Sequence, residues 1–457
     1  MALTETRRWP AYGAIWRWHF YAGLFCIPFV LWLATTGSIY LFRQEIEDLL
    51  DRRYDHVAGA QAPATAAEQV AAAVAAVPGS VLHAYILPET PEQAVQIIVG
   101  NGGGETRVYV NPTSRGVLKS EDEESRPMRI LFRLHGELMA GAKGSYLVEL
   151  AASWTIVMIV SGLFLWWPRG QGVAGLLYPR LGAGGRRFWR DLHAVTGVWV
   201  SVFTLFLLIS GLPWAKSWGT YLRGMRAVVE RSVGPQDWSG GAEADARGRR
   251  SADSDIRAVM DVHAEHTGHE GMAHAIAGSY AAIDTVIGAV APLKLAPPVL
   301  ITPPRANDGR WSARSDAANR PLRADLVIDG GTGEIVSRKD FAQRPFVDRL
   351  VGYGVAAHEG RLFGVANQLI GLFTAMGLVT VVVSSVVLWW RRKPADVLGA
   401  PPLPGGYPVA TGFIALLIGL GALLPLLGAS MIAVLVVEAT VLRRLPKARR
   451  WLGLAAK

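Results

Sequence analysis

The chain has 457 residues, of which 51% are hydrophobic and only 18% charged, and its formal net charge is +9. Soluble domains carry about a quarter charged residues, so this balance points to a membrane protein. The single cysteine, Cys26, excludes intramolecular disulfides, cysteine-held iron–sulfur clusters and covalent attachment through a CxxCH site.

Apolar runs of roughly 20 residues occur at Phe20–Phe42, Leu147–Trp167, Ala194–Trp214 and Val365–Trp390. Each is long enough for a helix rising about 1.5 Å per residue to cross a core about 30 Å thick. The first is too long for a signal peptide and is followed by Tyr40-Leu41-Phe42-Arg43 rather than a cleavage pattern, so it is expected to remain as an anchor. A last apolar tract, Pro408–Leu442, is interrupted around Gly421–Pro425 and is expected to form a hairpin. Arginine and lysine concentrate before the first run, between the second and third, after the fourth and at the C-terminus. Alternating helices put all of these on one side, which is the positive-inside pattern. The basic balance therefore reports topology and not a nucleic-acid partner.

The expected order is a cytoplasmic N-terminus (1–17), a first span (18–42), a periplasmic domain (43–146), a second span (147–167) and a cytoplasmic loop (168–192). A third span (193–214), a second periplasmic domain (215–362) and a fourth span (363–390) follow. A linker (391–407), the membrane hairpin (408–442) and a cytoplasmic tail (443–457) close the chain. The fold class is an α-helical integral membrane protein of a bacterial inner membrane, with four core transmembrane helices and two small α+β periplasmic domains.

The four spans read as two copies of one unit. His19 is followed by Gly23 at four residues and Gly37 at eighteen, and His193 is followed by Gly197 and Gly211 at the same spacings. His135 precedes Trp166-Trp167 by 31 residues, as His358 precedes Trp389-Trp390. Both copies begin on the same side, so the repeats are parallel. The inserts repeat as well. Ala66–Val77 reads as a helix, with strand-like runs at Val81–Leu87, Ala94–Val99 and Thr106–Val110. In the second insert Ala281–Ala291 reads as a helix, and Val299–Thr302 and Asp325–Asp329 as strands, with a glycine turn at 330–333. Gly234–Ser254 is expected to be a mobile loop.

The repeat places four histidines in two pairs, His19 with His193 at the cytoplasmic face and His135 with His358 at the periplasmic face. Two imidazoles from facing helices can hold b-type haem by axial ligation, here as two bis-histidine sites. Gly23 and Gly197, one turn on, would offer helix surface without a Cβ to a flat macrocycle. Arg17, Arg190, Arg133 and Arg361 stand within three residues of the histidines and suit anionic propionates. The other account of these residues is interfacial snorkelling and helix packing. His135 lies 32 residues before Trp167, about 48 Å of helix, so the segment must break near Gly141–Gly144, and the second copy near Gly360–Gly364. The tryptophan pairs read as interfacial belt residues. His263, His266, His269 and His274 could share a helical face and bind a metal, or form a solvated loop. Neither glycine run, 182–185 or 102–104, fits a dinucleotide fingerprint, so electrons would come from outside the chain.

The Trp-x-His-x-x-x-Gly of the first span, Asp-Leu-His-x-x-x-Gly-x-Trp at Asp191–Trp199 and the two Leu-Trp-Trp ends resemble the PepSY-associated transmembrane family over about residues 10–395. The inserts look like PepSY domains. Within that family the resemblance is to inner-membrane ferrisiderophore reductases of the FoxB type. It implies haem on His19, His193, His135 and His358, a quinol or cytosolic flavoprotein as donor, and a periplasmic ferric siderophore or other ferric chelate as acceptor. The rival is a non-enzymatic PepSY membrane protein that binds or regulates a periplasmic partner such as a peptidase. A transporter would need polar, broken helices at mid-membrane, which these spans lack.

Overall fold

A computed structural model describes residues 12–59, 62–102, 104–167, 174–229, 280–304, 308–401 and 411–454. The expected loop 234–254 and the histidines at 263–274 lie outside them. In chain order the helices are α1 (Tyr12–Tyr40), α2 (Arg43–Asp51), α3 (Ala66–Ala76), α4 (Pro127–Glu137), α5 (Gly141–Trp166), α6 (Gly185–Gly211) and α7 (Lys216–Val229). There follow α8 (Ala282–Val290), α9 (Phe346–His358), α10 (Val365–Arg392), α11 (Thr411–Leu423), α12 (Pro425–Thr440) and α13 (Pro446–Leu452). The strands are β1 (Val81–Leu87), β2 (Val95–Gly100), β3 (Glu105–Val110), β4 (Val117–Asp122), β5 (Val299–Thr302), β6 (Arg310–Ser315), β7 (Ala324–Asp329) and β8 (Ile335–Asp340). They divide between a membrane unit (12–41, 132–229 and from 368 on) and a sheet unit (42–131 and 280–367).

Among the described residues of the membrane unit, five helices are long and apolar enough to span a bilayer: α1, α5, α6 with its 3-10 extension to Trp214, α10, and α12 extended to Arg444. Their hydroxyl residues turn back onto the helix. Thr35, Ser38, Ser153, Thr155 and Thr374 each donate to the carbonyl four residues earlier, which satisfies them in apolar surroundings. Helices α1 and α5 pack through Ala22, Cys26, Trp154, Ile156 and Val157, and Trp18 stacks on Trp154 at 6.4 Å. The buried carboxylate of Glu149 on α5 accepts the backbone N–H groups of Ser217 and Trp218 at 2.7 and 3.0 Å. It thereby caps the N-terminus of α7, where donors have no partner within the helix.

The C-terminal tract departs from the expected hairpin of 408–442. The chain does break, at Leu424, and Gly421 meets Gly428 so closely that a Cβ on Gly428 would lie 2.5 Å from the Gly421 carbonyl oxygen. However, among the described residues α11 covers only 13, about 20 Å, which is short of the thickness of the core. Among the described residues the tract supplies one span and one short helix.

The breaks before the second and fourth spans fall where the glycines require them. Leu138, Met139 and Gly141 take φ of 50, 57 and 56° between α4 and α5. A Cβ on Gly144 would sit 1.6 Å from the carbonyl oxygen of Glu137, so the reversal needs glycine there. Gly360 and Gly364, with φ of 73 and 57°, lie between α9 and α10.

In the sheet unit the expectation of two separate α+β domains is corrected. All eight strands form one antiparallel sheet in the order β4-β3-β2-β1-β5-β6-β7-β8. The seam is β1 against β5, with Tyr85 opposite Ile301 and Ile86 opposite Leu300. Apart, each strand would expose an apolar edge with unpaired N–H and C=O groups; pairing removes both edges at once. One core runs across the seam, from Val70, Leu82, Ile97 and Val99 to Ile283, Val286, Ile301, Leu326 and Ile328. Polar links cross it too. Asp284 on α8 accepts the N–H of Ala66 at 2.7 Å at the start of α3, and Leu82 N–H donates to the Tyr280 hydroxyl at 3.1 Å. The halves nevertheless repeat each other in detail. Asn111 and Asp329 each close a turn onto residues two and three ahead, and matching register shifts fall at Tyr109/Val110 and Val327/Ile328.

An ion pair anchors the first half. Arg107 binds Glu123 through two nitrogens at 2.9 and 2.7 Å. Burial alone would raise the Glu123 carboxyl, but the Arg107 guanidinium outweighs it and pulls the carboxyl down to about 2. The folded value lies below the unfolded one. The stabilisation, on the order of 2 kcal/mol, is therefore complete above about pH 4.5 and lost as pH falls towards 2. Glu123→Gln is expected to flatten the acid limb of a stability–pH curve. An unchanged limb would show that the pair contributes nothing there.

Candidate functional site

His19 lies in the second turn of α1 and His193 in the third turn of α6, each at the start of a span, and the two are within electrostatic reach of each other. His19 Nδ1 is 2.9 Å from Ser161 Oγ on α5. The Ser161 hydroxyl is also placed to donate to the Met158 carbonyl at 3.1 Å, and in that arrangement it accepts from the ring. His193 Nδ1 is 3.1 Å from the Val381 carbonyl oxygen on α10, which can only accept. In these arrangements both rings donate from Nδ1, and in the neutral imidazole Nε2 then carries the free lone pair. Among the described residues neither Nε2 makes a hydrogen bond. A neutral imidazole fixed in this way is the form that ligates a metal.

The partners repeat as the histidines do. Ser161 and Ser384 each stand five residues before a tryptophan pair, and Met158 and Val381 eight before it. Ser384 Oγ lies 3.4 Å from His193 Nδ1. Gly23 and Gly197 look onto those same neighbours: a Cβ would meet Met158 Cε at 3.2 Å and Val381 Cγ2 at 3.9 Å. Their bare surfaces admit the neighbouring helix that holds each ring.

His135 sits in the last turn of α4, with Nδ1 2.9 Å from Thr36 Oγ1 on α1. Thr36 is likewise placed to donate to the Trp32 carbonyl at 2.8 Å, an arrangement in which Nδ1 is the donor. His358 closes α9 in the sheet unit, where Asn367 Nδ2 donates to the neighbouring Ala357 carbonyl at 2.9 Å. The arginines hold other partners. Arg17 donates to the carbonyls of Pro401 at 2.6 Å and Gly453 at 2.7 Å, tying α1 to the C-terminal segment. Arg190 joins Arg180 on the buried Asp191 carboxylate. Arg133 is 3.9 Å from Glu137, and Arg361 pairs with Glu45 at 2.7 Å. Anionic groups at these arginines would have to displace or join those contacts.

Trp166 and Trp389, the first of each tryptophan pair, donate Nε1–H to the carbonyls of Leu176 and Leu398. Their successors Trp167 and Trp390 are exposed, as suits an interfacial belt. Among the described residues no three His, Cys, Asp or Glu side chains group as they would around a protein-held metal ion. The donors at His19 and His193 come as two, the number that axial ligation of a macrocycle uses. The sequence did not single out Ser161, Ser384 or Glu149. Extending the repeat from histidine to hydroxyl residues would have found the first two, since their spacing to the tryptophans is the same.

No curated protein matches the chain. The sequence does match the family described as the PepSY-associated TM region over residues 16–392, which includes His19, His135, His193 and His358, both tryptophan pairs and every strand of the sheet. With the match covering most of its length and a multi-span helical bundle joined to an extended antiparallel sheet, this chain belongs to the PepSY-associated TM region family.

Proposed function

We propose that this protein is a haem-holding membrane reductase that carries electrons across the inner membrane to a periplasmic ferric siderophore or other ferric chelate. The observation that carries the proposal is the matched setting of His19 and His193, each at the start of a span with Nδ1 against an oxygen of the neighbouring helix. The donor set fits b-type haem: two neutral nitrogens on separate helices in apolar surroundings. When bound, the haem would supply one-electron chemistry. The chain's own residues orient and tune: Ser161 and Val381 fix the rings, and the packed helices keep water from the ligands. A second haem on His135 and His358 rests on the repeat and the resemblance, as do a quinol or flavoprotein donor and the cytoplasmic N-terminus. Reduction of the chelated substrate from Fe(III) to Fe(II) weakens its hold on hard oxygen ligands and releases the iron.

Family membership and the single large sheet favour a second reading, in which the protein is not an enzyme and the sheet binds or restrains a periplasmic partner such as a peptidase. Its two edge strands, β4 and β8, expose Val117, Leu118, Ile335 and Val336. A reduced-minus-oxidised spectrum of the purified protein separates the two. Low-spin haem bands, with Fe(II) trapped by a dye when a ferric chelate is added, are expected. A colourless protein that still captures a periplasmic partner would establish the second reading instead.

A further inference from the structure

Two histidines that the repeat does not relate rest on the same local device. His19 packs on Ser161-Gly162 of α5, and His135 packs on Thr36-Gly37 of α1. In each case Nδ1 lies 2.9 Å from the hydroxyl oxygen, and a Cβ on the following glycine would come within 3.2 Å of the ring's Cε1. The ring edge lies over a bare Cα, and that is what lets Nδ1 reach the hydroxyl beside it. The second copy departs at one position. Where the first has Gly162, it has Ser385, whose hydroxyl donates to the Val382 carbonyl at 2.7 Å. There Nδ1 of His193 stands 3.4 Å from Ser384 Oγ and donates to the Val381 carbonyl at 3.1 Å.

We infer that the residue after the serine, Gly162 in one copy and Ser385 in the other, sets the balance between serine hydroxyl and backbone carbonyl at each imidazole, the hydroxyl being nearer His19 and the carbonyl nearer His193, and so makes the two proposed haem ligands inequivalent. The inference rests on the haem reading above. Ser161, Gly162, Ser384 and Ser385 are positioning residues, acting on the iron only through the rings. A backbone carbonyl is a stronger acceptor than a serine hydroxyl, and a stronger acceptor on Nδ1–H makes Nε2 more basic. His193 is then the more electron-donating ligand and His19 the less.

The test uses the full-length protein, purified with its haem, and the variants Gly162→Ser and Ser385→Gly. In Gly162→Ser the added Cβ moves His19 off Ser161 towards the Met158 carbonyl beside it, and the midpoint potential falls as Fe(III) is favoured. In Ser385→Gly the ring of His193 settles onto Ser384 and the potential rises, while the low-spin electron paramagnetic resonance signal moves in both variants. Ser385→Gly only removes atoms, so it remains informative if Gly162→Ser folds poorly, and Gly162→Ala then replaces the latter. Opposite shifts support the inference. Shifts of the same sign, or none, in variants that keep their haem would overturn it while leaving the haem reading intact. A wild-type protein without haem would overturn that reading and this inference with it.

Discussion

Alanine at His19 or at His193 is expected to lower the haem retained per purified protein by at least about 10-fold, with the protein still inserted and folded. Either substitution removes one of two nitrogen donors, and nothing nearby replaces it: among the described residues no third His, Cys, Asp or Glu joins the pair. The cost to folding is small by comparison. Ser161 keeps its bond to the Met158 carbonyl and Ser384 its bond to the Thr380 carbonyl, so no buried hydroxyl is orphaned when a ring is deleted. What remains is a cavity between helices, worth about 1–3 kcal/mol. His56→Ala is the matched control, since that exposed ring pairs with Glu92 on the surface of the sheet unit. Pyridine haemochrome content against protein mass gives the ratio. Full haem in both single variants would remove this pair from any ligand assignment.

A carboxylate at Ile301 is expected to unfold the whole sheet, not just its second half. Ile301 is fully buried on β5 and pairs with Tyr85 of β1 at the seam. Ile301→Asp places an unpaired charge in an apolar core and deletes a branched side chain, a loss of at least about 4 kcal/mol. The informative measurement is where the loss appears. Since one core spans both halves, amide hydrogen exchange should accelerate at Ile97 and Val108 in β2 and β3 as well as at Leu326 and Ile328 in β7. Wild-type protection at Ile97 and Val108, with β7 exchanging freely, would mean that the halves fold independently across the seam.

Much of the architecture is set by local sequence. Apolar runs long enough to cross a bilayer determine the spans, because lipid leaves helix as the economical way to satisfy backbone groups. The breaks ahead of α5 and α10 follow from length, since an unbroken helix from His135 to Trp167 would overrun the membrane, and glycines supply the positive φ. Helix α3 and strands β1 and β5 were legible because each is a largely apolar run bounded by turn or capping residues. Strands β4 and β8 were not: as edges they are largely exposed and carry no alternation to read.

The four histidines were likewise marked out by matched spacings to glycine and tryptophan. What only the tertiary structure decided are contacts between segments far apart in the chain. Local pattern cannot say that β1 finds β5 more than 200 residues away, that Asp284 caps α3, or that Glu149 caps α7. Nor can it say that Ser161 and Val381 turn the two imidazoles so that each presents Nε2. A periodicity fixes which face of an element is buried, whereas the partner on that face, and with it the proton on each ring, depends on packing.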